Sequence, residues 1–278
     1  MLNTVVHASR FEQNMKVKEI ASAHNPLLQK IRRLDHSSDR KELGLFLIEG
    51  PKLIGEALSK NVAIVDMIAS KSFFDSGFDR AKLGAIDTLT VVQDHVFKTL
   101  CTTDTSCSIL ATAKPRLNSL KDLLTKKGTA ILLGERIQDP GNLGTIIRTA
   151  LAFDAAGLIL TAGSVDYLSP KVVRSSMGAV FSLPIVAEQD LATSLSQLKD
   201  RKIRLVALDA KGGQTLETEK QDRQTAYLFG NEGQGLSAEA LEQADEVVSI
   251  PISSATESLN VAVAVGLVLY HARSASER

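Results

Sequence analysis

Short apolar runs alternate with amphipathic helical patterns along most of this chain. In the first half, the apolar runs predict strands at 45–48, 63–68, 88–92 and 108–112. In the second half, they predict strands at 130–133, 157–160, 204–208, 226–229 and 246–250, with helices at 142–152, 170–177, 191–201, 237–244 and 259–273. The second set of strands is apolar without clear alternation, which is typical of a sheet covered on both faces. The sequence therefore predicts an α/β protein.

A polar stretch that contains a proline separates the two halves. We assign residues 20–112 to a smaller N-terminal α/β domain, 113–127 to a linker and 128–278 to a second α/β domain. A chain of 278 residues is long enough for two separate cores.

Composition narrows the class of protein. With 44% hydrophobic and 23% charged residues, the chain is expected to fold rather than remain disordered. Its longest apolar stretch, 261–270, is too short for a membrane span, and residues 1–18 lack the apolar core of a signal peptide. Cys101 and Cys107 are the only cysteines, and the five histidines are scattered. We therefore expect a reduced, cytoplasmic protein without a metal site.

Charge is distributed unevenly. Residues 1–127 hold 19 basic and 14 acidic side chains, whereas 128–278 hold 13 and 18, so the halves carry +5 and −5. A basic half favours a polyanionic partner such as RNA. Asn25 and Pro26 predict the start of a helix in that half. On the polar faces of this helix we expect RNA-binding side chains, namely Lys30, Arg32 and Arg33.

Three motifs, at 139–148, 230–236 and 250–261, each join a predicted strand to a predicted helix through Gly, Asn, Pro or Ser. Loops that follow parallel strands gather at one edge of a sheet, where ligands bind. We therefore expect the three motifs to form one site. The second motif lacks the glycine spacing of dinucleotide-binding folds, which argues against a nicotinamide-dependent dehydrogenase.

The polar residues of the motifs have two readings each. Asn142 is either a helix cap or a site residue, and Arg148, in an apolar helix, needs either a structural ion pair or an anionic ligand. Glu232 would repel phosphate and suits a cationic or hydroxyl-bearing ligand. Ser258 and Asn260 either cap the last helix or belong to a polar cluster at its start. That helix is apolar nearly all round and is expected to be buried.

Together, the three motifs resemble those of the SpoU/TrmH family of RNA 2′-O-ribose methyltransferases, within the SPOUT superfamily. The similarity spans about residues 129–273 and includes 169–179, while 25–26 and 46–50 resemble the substrate-binding domain that precedes the catalytic domain in many members. One departure is Asp154, where glycine is common; we expect only a local effect at a helix end.

The resemblance implies a C-terminal domain with a parallel sheet and a deep trefoil knot, a homodimer, and S-adenosylmethionine as the cofactor. It implies contacts to that cofactor from Gly230, Ile250 and Leu259, with Leu208, Asn231 and Ile252 nearby. It also implies that Asn142 and Arg148 act beside the cofactor of the other subunit.

The implied catalytic residues are Arg148, Asn142, Glu232, Ser258 and Asn260. A guanidinium keeps its proton at neutral pH, so we expect Arg148 to hold a phosphate or polarise the hydroxyl rather than to act as a base. The preceding domain favours ribosomal RNA as the substrate, with tRNA second. A non-catalytic RNA-binding protein of the same fold is the alternative.

Overall fold

A computed structural model of the chain describes residues 15–76, 86–102, 107–219 and 224–276. The chain divides into two compact units, Met1–Pro115 and Arg116–Arg278. The segment predicted to be a linker contains a short helix, α6 (Leu120–Leu123), and its leucines are buried in the core of the second unit. No helix within the described ranges is long and apolar enough to cross a membrane.

The first unit contains a five-stranded mixed sheet. Its strands are β1 (Lys16–Ile20), β2 (Phe46–Glu49), β3 (Ile64–Ser70), β4 (Thr88–Val92) and β5 (Ile109–Ala113). They lie in the order β1-β4-β3-β5-β2. The pairs β1–β4 and β3–β4 are parallel, whereas β5 is antiparallel to both β3 and β2.

Five described helices accompany this sheet: α1 (Pro26–Arg33), α2 (Ser37–Leu43), α3 (Pro51–Ser59), α4 (Lys71–Asp75) and α5 (Asp94–Lys98). The start of α1 is as predicted, because the Asn25 side chain accepts a hydrogen bond of 2.9 Å from the Leu27 N–H and Pro26 occupies the first turn. Leu28 and Ile31 then lie on one face and are buried against the sheet core.

The second unit is built on a seven-stranded sheet in the order β10-β12-β9-β11-β6-β7-β8. Its strands are β6 (Ile131–Gly134), β7 (Gly157–Thr161), β8 (Ile185–Gln189), β9 (Arg204–Leu208), β10 (Gln214–Thr215), β11 (Thr225–Phe229) and β12 (Glu246–Ser249). All the described strand pairs of this sheet are parallel. The central strands are buried throughout, as their continuous apolar sequences predict.

Helices α6, α7 (Pro140–Ala152), α8 (Pro170–Ser175), α9 (Leu191–Asp200), α10 (Ala238–Gln243) and α11 (Val261–Ser276) complete the second unit. Strand β11 lies between β6 and β9, both of which precede it in the chain. Because β6, β9, β11 and β12 are parallel, the loops after β6, β11 and β12 leave the same edge of the sheet. The predicted trefoil knot is not determined by strand order and stays a prediction.

The last helix differs from the expectation of complete burial. In α11, the exposed fractions of Val263, Leu267 and Tyr270 are 52%, 42% and 62%. Their spacing of four and three residues places them on one face. The side of the helix that faces away from this stripe is buried. The helix also packs on α7: Gly266 lies against Thr149, and Tyr270, although exposed, makes an edge-on contact with Phe153. The helix therefore presents an apolar stripe on the surface of the second unit.

Asp154 follows the end of α7 in the left-handed conformation, with φ of 54°. Glycine adopts this conformation without the steric cost that a side chain brings. The Asp154 carboxylate pairs with Arg273, an exposed ion pair of small energetic value.

We expect Asp154→Gly to be about 1 kcal/mol more stable than Asp154→Ala in urea-induced unfolding. Both substitutions remove the ion pair with Arg273, so their difference isolates the backbone conformation. Equal stability of the two variants would show that the left-handed backbone imposes no cost at this position.

Candidate active site

The first motif begins with an aspartate cap. The Asp139 side chain accepts a hydrogen bond of 2.7 Å from the Asn142 N–H at the start of α7, and Pro140 occupies the first helical position. Reading Asn142 as the cap was therefore wrong. Because Asp139 serves the helix terminus, the side-chain amide of Asn142 is available for other contacts.

Asn142 connects the three motifs. Its Nδ2 donates to Glu232 Oε1 at 3.2 Å, and its Oδ1 accepts from Asn260 Nδ2 at 2.8 Å. Asn260 Oδ1 in turn accepts from the N–H groups of Ala262 and Val263 and thereby caps α11. Residues separated by about 90 and 118 positions thus meet at the carboxyl edge of the sheet. We call Asn142, Glu232 and Asn260 the three-loop cluster.

Glu232 also accepts hydrogen bonds from the backbone at the start of the first motif and from the residue before it. Gln138 N–H donates to Oε2 at 3.3 Å, and Asp139 N–H donates to Oε1 at 3.2 Å. Partial burial raises the pKa of the Glu232 carboxyl, but hydrogen bonds outweigh it and hold the pKa below its usual value. The donors are its own N–H, the Asn142 amide and the two backbone N–H groups. The cluster therefore contains a carboxylate that is ionised at neutral pH.

The second motif, 230–236, is a tight loop closed on itself. Asn231 and Gly235 form an isolated antiparallel bridge with backbone hydrogen bonds of 3.1 and 2.9 Å. Asn231 Oδ1 accepts from the N–H groups of Gly233 and Gln234, and its Nδ2 donates to the carbonyl of Arg136. The Asn231 side chain is thus engaged in organising the loop and connecting it to the first motif.

Gly230 has a steric reason to be glycine. A Cβ at this position would lie 2.1 Å from the carbonyl carbon of Gly235 and 2.3 Å from the Leu236 nitrogen. These are backbone atoms, so a side chain would displace the loop itself. The structure gives Gly230 a packing role that is independent of any cofactor.

The other predicted cofactor contacts lie at the same sheet edge. Leu208 is the last residue of β9, and Ile250 directly follows β12, which pairs with β9. Leu208, Ile250 and Leu259 are partly buried, and Ile252 is exposed. With Gly230 after the neighbouring strand β11, these side chains give the edge apolar surface next to a carboxylate.

Two predicted catalytic residues lie outside the three-loop cluster. Arg148 is on α7, exposed, and forms no side-chain hydrogen bond or ion pair with any residue the structure describes. It lies six positions after Asn142, which corresponds to about 9 Å along the helix and a different face. Ser258 is exposed, and its carbonyl accepts a bond from Thr256. The structural ion pair considered for Arg148 is thus absent among the described residues.

One buried residue of the site was not singled out from the sequence. Glu135, directly after β6, is buried, and its Oε2 accepts from Ser237 N–H at 2.9 Å. Ser237 caps α10, so this bond joins the first motif to the helix that follows the second. A carboxylate immediately after an apolar strand is a feature of the sequence that could have indicated this role.

The three predicted RNA-binding side chains of the first unit all make contacts within that unit. Lys30 pairs with Asp66 at 2.7 Å. Arg32 donates to the Ala23 carbonyl and the Thr99 hydroxyl, and Arg33 pairs with Asp39 and Glu42. Their assignment to RNA binding stays a prediction.

Comparison with known proteins identifies both parts of the chain. Residues 135–270 match the SpoU rRNA Methylase family, and residues 25–111 match the MRM3-like substrate binding domain. An uncharacterized tRNA/rRNA methyltransferase of Synechocystis sp. is 37% identical over 92% of this chain and 94% of its own. The 23S rRNA (guanosine(2553)-2′-O)-methyltransferase RlmP of Bacillus subtilis is 32% identical over 92% of this chain and all of its own length.

Solved structures agree with these relatives. The AdoMet-bound rRNA methyltransferase from Sinorhizobium meliloti superposes with a TM-score of 0.80 at 30% identity, covering 93% of this chain and 98% of its own. The predicted α/β fold class, enzyme class and cofactor are confirmed by these similarities. The chain belongs to the SpoU rRNA methylase family.

Proposed function

We propose that this protein transfers the methyl group of S-adenosylmethionine to a ribose 2′-hydroxyl of RNA, with ribosomal RNA as the substrate. The observation that carries the proposal is the three-loop cluster, in which Asn142 hydrogen-bonds to both Glu232 and Asn260 at the carboxyl edge of a parallel sheet. The full-length similarity to a 23S rRNA 2′-O-methyltransferase favours ribosomal RNA. The MRM3-like substrate binding domain supports the same substrate class.

The residues at this edge fit S-adenosylmethionine. Apolar surface from Leu208, Ile250 and Leu259 suits an adenine ring, and the close backbone packing at Gly230 holds the neighbouring loop compact. The ionised carboxylate of Glu232 suits a cationic ligand. When bound, the sulfonium group supplies an electrophilic methyl carbon, so alignment is the main task left to the protein.

The side chains then divide between orientation and charge. The three-loop cluster fixes the loops and the start of α11 relative to one another by hydrogen bonds. The exposed guanidinium of Arg148 is assigned to holding an RNA phosphate or polarising the attacking hydroxyl. Water or an RNA phosphate accepts the proton of the hydroxyl. Ser258, exposed at the mouth of α11, is assigned to ribose contact.

We further propose that the protein is a homodimer whose interface is the apolar stripe of α11, Val263, Leu267 and Tyr270. Leu151 of α7 is also exposed, and α7 packs beside α11, so the apolar surface extends over both helices. Apolar side chains on a surface stripe favour association. Arg148 also lies on α7, so docking of a second subunit on this surface would place Arg148 of one subunit near the active site of the other.

Leu267→Glu is expected to convert a dimer of twice 29.9 kDa into a monomer and to abolish most of the methylation activity. Size-exclusion chromatography with light scattering measures the mass, and incorporation of labelled methyl groups measures activity. Leu117→Glu is the matched control, since Leu117 is more exposed and lies away from α11 in the chain. A monomeric wild-type protein at micromolar concentration would contradict the interface.

Mapping ribose methylation in RNA from cells with and without this protein tests the proposed activity. We expect a ribose in ribosomal RNA to lose its methyl group, and purified protein with labelled S-adenosylmethionine to restore it. Loss from a tRNA instead would replace the proposed substrate. If isothermal titration detected no binding of S-adenosylmethionine, the alternative of a non-catalytic RNA-binding protein would be favoured instead.

A further inference from the structure

Three potential ligand atoms meet in the first unit, outside the proposed active site. Glu49 ends β2, Cys101 follows α5, and Cys107 precedes β5. One carboxylate oxygen and the two sulfur atoms all lie within 4.8 Å of one another. Glu49 is buried, and both cysteines are partly buried against the core of this unit. The spacing of the cysteines alone did not predict this cluster, because its third member comes from a distant strand.

The carboxylate is held in place by the neighbouring residue Thr102. The Thr102 N–H donates to Glu49 Oε1 at 2.7 Å, and the Thr102 hydroxyl donates to Oε2 at 2.9 Å. These two bonds fix the orientation of the carboxylate beside the sulfur atoms. Hydrogen bonds to a carboxylate from a neighbouring group are the usual way in which a metal-binding carboxylate is oriented.

The sulfur atoms are also directed by local backbone. As thiols, Cys101 donates to the Phe97 carbonyl at 3.6 Å and Cys107 donates to the Ile109 carbonyl at 3.1 Å. The two thiols also hydrogen-bond to each other, so the sulfur atoms lie close together. Coordination would release the thiol protons, as it does at other thiolate sites.

We propose that Glu49, Cys101 and Cys107 form a binding site for one zinc-like divalent cation. Tetrahedral zinc with Zn–S near 2.3 Å and Zn–O near 2.1 Å requires ligand atoms roughly 3.6–3.8 Å apart. The observed spread of up to 4.8 Å is within about 1 Å of that requirement. Two thiolates select a soft or borderline cation over magnesium or calcium, and the fourth position is left to water.

A cation at this site would join the end of β2 to the segments before and after residues 103–106. It would therefore stabilise the first unit in proportion to its occupancy, since binding to the folded state alone shifts the unfolding equilibrium. This inference concerns stability and metal content and is independent of the proposed methyl transfer.

Cobalt titration of the full-length, reduced protein tests the site, because Co²⁺ bound by thiolates gives sulfur-to-metal charge-transfer absorption in the near ultraviolet. We expect saturation at one Co²⁺ per chain, displacement by Zn²⁺, and a rise in melting temperature with Zn²⁺. Cys101→Ser and Cys107→Ser should each remove most of the charge-transfer band. Circular dichroism checks that these near-isosteric variants remain folded.

Glu49→Gln distinguishes the proposed triad from a site made by the cysteines alone. This variant keeps a side-chain oxygen for Thr102 and both thiols, so we expect folding to persist and Co²⁺ affinity to fall at least tenfold. Unchanged affinity would remove Glu49 from the site. Absence of a charge-transfer band in the wild type, or rapid formation of a Cys101–Cys107 disulfide in place of metal binding, would overturn the proposal.

Discussion

Arg148→Ala is expected to lower the turnover number for RNA methylation by about 100- to 1,000-fold, the usual cost of removing a charged group that stabilises a transition state. Affinity for S-adenosylmethionine should stay within about threefold of wild type, because Arg148 is outside the three-loop cluster. Its side chain is exposed and forms no hydrogen bond or ion pair with the described residues, so the fold should not change. Single-turnover methylation assays and isothermal titration measure the two quantities separately.

Arg201→Ala is a matched control for this prediction. Arg201 is an exposed arginine at the end of α9, just before the start of β9, and the proposed site lies at the other end of that strand. Arg148→Lys separates charge from proton transfer. A positioning role predicts low activity with an unaltered pH profile, because lysine cannot reproduce the guanidinium fork. Near-wild-type activity with a profile shifted towards the pKa of lysine would mean that this position is the base.

Gly230→Ala is expected to weaken S-adenosylmethionine binding by roughly 5- to 150-fold, which corresponds to an overpacking cost of about 1–3 kcal/mol. The added methyl group would lie 2.2 Å from the Gly235 carbonyl oxygen and 2.3 Å from the Leu236 nitrogen. The loop must move, and Glu232 within it moves away from Asn142. Isothermal titration measures the affinity, and thermal melting without cofactor reports how much of the loss is structural.

Gly233→Ala provides the control in the same loop. A Cβ there would meet only the Asn231 Oδ1 within 4 Å, at 3.6 Å, an ordinary van der Waals distance. We expect its cofactor affinity to stay within a few-fold of wild type. Equal effects of the two substitutions would mean that loop stiffness, rather than close backbone approach, limits binding.

The convergence of the three motifs could be predicted because parallel strands carry their following loops to one edge. The positions of the buried strands were predictable for a similar reason, since a strand covered on both faces is a continuous apolar run. Strands β1, β8 and β10 were not predicted. They lie at or next to the sheet edges, and their sequences, KVKEI, IVAEQ and QT, contain polar residues or are very short.

The individual contacts of the site could not be predicted from the sequence, because they depend on which of several suitable side chains the fold brings together. Asp139 and Asn142 are both good helix caps, and only the structure reveals that Asp139 takes this role. Local sequence likewise could not bring Glu49 to Cys101 and Cys107, because the strand pairing of β2 with β5 does so. The apolar stripe of α11 was mistaken for core because an apolar sequence does not show which of its side chains stay exposed on the folded chain.

The number of residues between Asn142 and Arg148 in helix α7 determines the direction in which the arginine points. Asn142 at its beginning faces its own chain, and Arg148, nearly two turns later, faces outwards. Each inserted or deleted residue between them would rotate the arginine by about 100° about the helix axis and move it by 1.5 Å. Homologous sequences that carry out the same chemistry should therefore tolerate many substitutions along this interval but no change in its residue count.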